Sequence, residues 1–389
     1  MLCGRTKAAL PGRLFSRMGA SAFPSLVYKI EQGLWFVSPH ADPYPAGVNA
    51  SALHLIVCRP EFEGSLVAEL KDGGIPARRI SAGLVGSEVD LPASPLIFER
   101  QRLPQARMVP MEQLKPIADA TVADIVAPLL AKPVRWTTQS FAIDDLLQGR
   151  AQGIEQTLLR LIAKKYPQLD DLYRAPHRMD KIPDIHVLQC CLTPEGLWHS
   201  LTPVTALSSR EPGGVVRMKF DDAAPSRSYL KIEEAFQRMG EWPAEGQKVI
   251  DLGAAPGGWT WACCKRGCSV LAVDNGPMKI PEGAGPVRHM RVNGITFEPP
   301  RDWVPVDWLV ADMLIAPGVA LGLLRRWVDA KWMHRFVVNI KLPQDEAFTA
   351  LKPIATYLDQ QASAGVTAEI RQLYHDRREV TVMGRRRAS

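Results

Sequence analysis

From residue 249 to 261 the chain reads VIDLGAAPGGWTW, an apolar run closed by Asp251, a turn carrying Gly253, Gly257 and Gly258, then a helical pattern. Such a turn leaves backbone groups open to a ligand at the carboxyl end of a strand. It is not the G-x-G-x-x-G turn of a dinucleotide site, because Ala255 replaces the second glycine and Pro256 has no N–H to offer a pyrophosphate. Asp274 closes the next apolar run, 23 positions after Asp251. A carboxylate there can accept both hydroxyls of an adenosine ribose. The pair of features suits a ligand with an adenosine and no phosphate, S-adenosylmethionine, whose amino-acid end can meet the backbone at Gly257 and Gly258. A plain strand-to-helix turn with glycines for close packing is the other reading of the loop, and Asp274 weighs against it.

The elements that must position these residues alternate from about 230 onward, as in a doubly wound parallel sheet. Strands are predicted at 248–252, 269–273, 287–291, 306–312 and 335–341, and a helix at 345–363. GVTAEIRQL and REVTVMG then form a terminal hairpin around YHDR. An antiparallel hairpin ending a parallel sheet suits the seven-stranded methyltransferase sheet better than a nicotinamide dehydrogenase.

Ahead of this sheet, ALHLIVC (52–58), PEFEGSLVAELKDGG, SEVDL and PLIFERQ predict a small β-α-β-β unit. A further unit holds a strand at 134–141, an amphipathic helix at 154–166 and a hairpin turned at Pro194-Glu195-Gly196. The stretch 208–218 reads as a linker or exposed loop.

Bulk properties exclude several classes. The 389 residues are 46% apolar, enough for two or three compact domains, with no run of the roughly 18 apolar residues that a membrane span needs. Seven cysteines without regular spacing point to a reducing, cytoplasmic compartment, and no C-x-x-C or H-x-x-x-H pair marks a metal site, so none is expected. Residues 1–50 are expected to be a poorly ordered extension. Their basic residues, Arg5 to Lys29, lack the apolar core of an export signal. The net charge of +6 is compatible with a polyanionic partner, but residues 51–210 hold 18 basic and 18 acidic side chains, so any strong field must come from spatial clustering.

Six ordered blocks give the chain a resemblance: APSRSYLKIEEAF (224–236), DLGAAPGGWT, VDNGPM (273–278), VADM (310–313), NIKLP (339–343) and RQLYHDRREVTV (371–382). Together they resemble the ribosomal RNA large-subunit methyltransferase M family, within the heat-shock-type (FtsJ-like) ribose 2′-O-methyltransferases. The resemblance covers about 52–389 and is dense from 216. It implies a Rossmann-like methyltransferase sheet over 213–389, a ferredoxin-like domain over 51–117 and a THUMP RNA-binding domain over 118–212. It also implies a catalytic tetrad of Lys231, Asp312, Lys341 and Glu379, with Lys341 as general base. A free lysine near pKa 10.4 is only about 0.04% neutral at pH 7. Such a base therefore relies on its neighbours to lose its proton. Asp312 and Lys341 end consecutive predicted strands, which independently puts both on the rim where open α/β sheets bind ligands.

For the cofactor the resemblance carries over Ser228, Ala255, Pro256, Gly257, Gly258, Asp274, Asn293 and Asp312. At Asn293 related sequences usually show an acid, so an altered affinity is expected there. Trp259 and Tyr374 offer rings that could stack on a base, with helix-to-sheet packing the alternative for the tryptophan. The arginines at 377, 378 and 385–387 are either phosphate contacts or a solvated tail.

The implied function is S-adenosylmethionine-dependent methylation of a cytidine ribose in 23S ribosomal RNA, on naked or partly assembled RNA, by a monomer that uses neither DNA nor membrane. Its rivals are the same chemistry on transfer RNA, a non-catalytic RNA-binding assembly factor on the same sheet, and a Rossmann-type dehydrogenase.

Overall fold

The computed structural model describes residues 53–283 and 285–387; the extension expected at 1–50 lies outside them. In chain order the first half holds β1 (Leu53–Val57), α1 (Glu63–Asp72), β2 (Arg78–Ser81), β3 (Leu84–Ser87), β4 (Gln101–Pro110), α2 (Leu114–Ala131), β5 (Trp136–Ala142), α3 (Gln148–Lys165), α4 (Pro167–Asp170), β6 (His186–Leu192) and β7 (Gly196–Pro203). The second half holds α5 (Tyr229–Met239), β8 (Lys248–Leu252), α6 (Gly258–Cys264), β9 (Ser269–Val273), β10 (Val287–Met290), β11 (Val306–Ala311), α7 (Pro317–Asp329), β12 (Met333–Lys341), α8 (Ala347–Gln361), β13 (Val366–Arg371) and β14 (Glu379–Arg386).

These strands make two seven-stranded sheets, β2-β3-β1-β4-β7-β6-β5 and β10-β9-β8-β11-β12-β14-β13. In the first, β4 pairs with β1 through Gln101–Ala106 and with β7 through Arg107–Pro110, so one sheet runs across the expected boundary at 117/118. Two expectations are corrected here. The strand expected at 87–91 ends at Ser87, whose hydroxyl takes the Val89 N–H and turns the chain. The segment 95–101 enters the sheet only at Gln101, because carboxylates capture its backbone: Glu69 accepts the N–H groups of Ile97 and Phe98, and Glu99 that of Leu96. The strand and hairpin expected over 134–203 form as β5, β6 and β7.

The second sheet has β10, β9, β8, β11 and β12 parallel, and β14 and β13 antiparallel beyond them, which is the expected arrangement. Sequence order reverses between β8 and β11, the switch point where open α/β sheets leave a ligand crevice. A continuous core joins the two halves: Phe62, Leu66 and Phe98 belong to the same buried cluster as Leu271, Trp327 and Val338. Polar staples fix the seam, with Gln372 N–H to Ile97 C=O at 2.8 Å, Arg371 Nη2 to Glu99 C=O at 2.6 Å and Arg59 Nη1 to Asp376 C=O at 2.8 Å. No helix among the described residues is long and apolar enough to cross a membrane.

Candidate active site

At the carboxyl end of β8 the glycine turn bends sharply into α6. Gly253 has φ 78° and Gly257 φ 120°, conformations that disfavour any side chain. A Cβ on Gly258 would stand 2.4 Å from Ser226 Oγ and 2.6 Å from Ser228 Oγ, and one on Gly257 2.4 Å from Ile280 Cδ1. Glycine at these two positions therefore lets Ile280 and the serines before α5 approach the turn closely. Asp274, just past β9, accepts the Ala255 N–H at 3.1 Å and the Gly276 N–H at 2.6 Å, which fixes its carboxylate beside the turn. Gly294 packs against the Gly253 backbone and Met313, bringing the neighbouring Asn293 to the same rim. Asn293 is exposed, and its side-chain oxygen accepts the Ile295 N–H at 2.8 Å. Ser228 joins from the start of α5: its hydroxyl meets Ser226 Oγ at 2.7 Å and its carbonyl accepts Trp259 Nε1 at 2.9 Å. Trp259 is thus buried as packing between helix and sheet and is not free to stack on a base.

Beneath the turn, Asp251 is fully buried. Thr260 Oγ1 donates to its Oδ2 at 2.6 Å, while Oδ1 has no partner among the described residues. Burial, with the nearby charges of Asp312 and Asp274, pushes its carboxyl up to about 7 despite the Thr260 bond.

The four tetrad residues converge on the rim next to the turn. Asp312 follows β11, and its backbone carbonyl lies 3.3 Å from where a Gly253 Cβ would be. Lys341 ends β12 and is the cross-strand partner of Glu379, the first residue of β14. That register makes their ion pair a consequence of strand pairing, with Lys341 Nζ 2.9 Å from Glu379 Oε2. The other oxygen of Glu379 lies 2.5 Å from Lys231 Nζ, which reaches in from α5 and stands 3.4 Å from Asp312 Oδ1. The result is a chain, Lys341–Glu379–Lys231–Asp312, with two charges of each sign. Burial disfavours the ammonium of Lys231, but Asp312 and Glu379 outweigh it and raise its pKa. Burial likewise works against the Glu379 carboxylate, and the two lysine contacts prevail and lower its pKa. Glu379 is 4% exposed and Lys341 32%, so the lysine is the more accessible member of the pair.

Segment 224–342 matches the model of a family described as FtsJ-like methyltransferase. A Ribosomal RNA large subunit methyltransferase M from Chromohalobacter salexigens is 33% identical over 368 residues, 84% of this chain and 96% of that protein. The chain belongs to the ribosomal RNA large subunit methyltransferase M family. A protein of the same name from Salmonella agona is 31% identical over 369 residues, 85% of this chain and 96% of its own. This member of the family is an S-adenosylmethionine-dependent methyltransferase, and the glycines of its turn at the carboxyl end of β8, with Asp274 fixed beside them, fit that cofactor.

Sequence reasoning missed the residues that hold this methyltransferase's β13–β14 loop in place. Asp376, fully buried with its carboxyl raised by burial, accepts from Asn339 Nδ2 at 2.9 Å, Thr381 Oγ1 at 3.0 Å and Leu373 N–H at 3.0 Å. Glu234 of α5 accepts the N–H groups of Tyr374 and His375 at 2.7 and 2.9 Å. Asp376 stands among His375, Arg377 and Arg378 and Glu234 beside Glu233, so no local pattern marked either one. A cleft of about 1390 Å³ opens in front of the tetrad, lined by Ser228, Lys231, Lys341 and Glu379 on one side and by residues of the N-terminal sheet on the other.

Proposed function

We propose that this protein methylates the 2′-hydroxyl of a cytidine ribose in 23S ribosomal RNA, with Lys341 as general base. The observation that carries the reading is the ion-paired chain from Lys341 to Asp312, which meets the glycine turn at Asp312 and lines the cleft with Lys341, Glu379 and Lys231. S-adenosylmethionine, when bound, supplies a methyl carried on a sulfonium. Ser228, Ala255, Pro256, Gly257, Gly258, Asp274, Asn293 and Asp312 would hold it, Asp274 at the ribose and the turn at the amino-acid end.

Lys341 is assigned to take the proton of the 2′-hydroxyl, and the cofactor, when bound, would supply the methyl group to that oxygen and leave as the thioether. Glu379 orients the Lys341 amine through Oε2, and Lys231 ties Glu379 to Asp312 so that the base and the cofactor rim keep one geometry. The N-terminal sheet is assigned to RNA holding, as a ferredoxin-like piece followed by a THUMP module, acting in the cytoplasm as a monomer on RNA that is not yet fully assembled.

The test is mass mapping of ribosomal RNA from cells with and without the protein, complemented by wild type or Lys341→Ala. One ribose methyl on 23S RNA that is lost and returns with wild type only is the expected result. A methyl that appears on transfer RNA alone ends the substrate assignment. Full methylation by Lys341→Ala ends the base assignment.

A further inference from the structure

Arg100 lies on the opposite wall of the cleft from the tetrad and is used by nothing described so far. It stands immediately before β4, with its backbone N–H bonded to Val57 C=O at 2.8 Å. Its guanidinium covers the ring of Tyr374 at 5.3 Å. Both Nε and Nη2 are buried without an acceptor among the described residues. The acid whose charge favours Arg100, Glu234, already has one oxygen on the Tyr374 N–H and the other on the N–H and ring of His375. Burial and the neighbouring guanidinium of Arg59 both work against the charge of Arg100. Two adjacent guanidinium groups, one of them largely removed from water and unpaired, are costly unless an anion joins them.

The position is as informative as the charge. Arg371, Gln372 and Asp376 of the catalytic hairpin region are hydrogen-bonded to Glu99, Ile97 and Arg59. These bonds bracket Arg100, so its place relative to Lys341 and Glu379 is set by hydrogen bonds to neighbouring backbone rather than by a flexible linker. A Cβ on Gly214 would lie 2.5 Å from the Arg100 carbonyl, so the connection between the halves packs on the same residue. Arg217, Arg227 and Arg377 line other walls of the cleft; Glu61, Asp145 and Glu211 also border it, and Glu61 pairs with Arg378 at 3.4 Å.

We infer that Arg100 and Arg59, backed by the Tyr374 ring, form a phosphate clamp that seats one phosphodiester of the substrate RNA strand across the cleft from Lys341. A guanidinium presents paired N–H donors that match two phosphate oxygens, which a single ammonium cannot do. Held there, the strand brings its ribose to the tetrad, so the clamp positions substrate and takes no part in proton transfer. The inference rests on the RNA reading given under Proposed function.

The experiment measures binding of an in-vitro 23S ribosomal RNA transcript over a range of salt, together with steady-state methylation, for wild type, Arg100→Gln and Arg100→Lys. Loss of one charge-assisted contact predicts about tenfold weaker binding for Arg100→Gln. The slope of log affinity against log salt should flatten by about 0.7–0.9, the value of one phosphate contact. KM for RNA should rise while kcat and the dissociation constant for S-adenosylmethionine hold, and Arg100→Lys should restore the slope without restoring full affinity. Arg59→Gln gives the same readings if Arg100→Gln does not fold. An unchanged salt slope in the glutamine variant, or a loss of S-adenosylmethionine binding equal to that of RNA, overturns the clamp. A wild-type protein that binds RNA but methylates none defeats the functional reading instead, and the salt slopes still decide the clamp.

Discussion

Replacing Glu379 by Gln tests the tetrad most directly, because one carboxylate serves two buried or half-buried ammonium groups. The substitution keeps the shape and takes the four-residue chain from neutral to a net charge of +1. The two contacts are 2.5 Å to Lys231 and 2.9 Å to Lys341. At an effective dielectric constant of about 20, each is worth roughly 6 kcal/mol of Coulomb attraction. Most of that is offset because a neutral amide no longer has to be stripped of water as an ion, and removing one partner of a buried pair typically costs about 3–5 kcal/mol net. Lys231, 12% exposed, then keeps only Asp312 at 3.4 Å. For a domain of this size the melting temperature should fall on the order of 10 °C. The pH dependence has a definite sign. The folded pKa of Glu379 is depressed, so its stabilisation is complete above the ordinary carboxylate range and is lost as pH falls through the lower folded value. Differential scanning calorimetry across that acid range should show the loss in wild type and its absence in Glu379→Gln. The paired change Lys231→Met with Glu379→Leu removes both charges and should recover much of the stability with activity still absent. A single variant that melts within a degree or two of wild type and keeps its turnover refutes this account.

Gly258→Ala places a methyl 2.4 Å from Ser226 Oγ and 2.6 Å from Ser228 Oγ, so the hydrogen-bonded serine pair must turn away and the start of α5, with Tyr229 N at 3.3 Å, must give by a few tenths of an ångström. S-adenosylmethionine affinity by calorimetry should drop about tenfold or more, with the fold retained, as expected when a close-approach glycine is lost. Asp251, raised to about 7, holds its proton more tightly in the folded chain than in the unfolded one, so it favours the fold at low pH and that contribution is lost as pH rises from about 4 to 7. Asp251→Asn should therefore flatten the decline in denaturant stability between those two pH values, and a slope identical to wild type would show the carboxyl to be ionised throughout.

The catalytic sheet was legible from sequence because four of its five parallel strands are short apolar runs with a chemically marked residue at or next to their ends: Asp251, Asp274, Asp312 and Lys341. The terminal hairpin was legible too, and its register brings Lys341 opposite Glu379. Roles were another matter, since spacing puts residues on a rim but does not tell a base from a phosphate ligand; those came from family resemblance. The N-terminal half was read less well between 87 and 101. There the competition is between a β ladder and the carboxylates of Glu69 and Glu99, and no local pattern reveals that an acid 28 residues back will take the Ile97 N–H. Long-range polar capture of this kind also explains why Asp376, Glu234 and Arg100 escaped notice. Each acts between elements that are distant in sequence. The seam they form has a consequence for function: the N-terminal sheet meets the catalytic hairpin at Arg371–Asp376, within a few residues of Glu379. Under the proposed role of the first sheet, substrate would thereby be referenced to the loop that leads into Glu379, the partner of Lys341. Separating the halves by a flexible linker would sacrifice that registration even if each half kept its ligand.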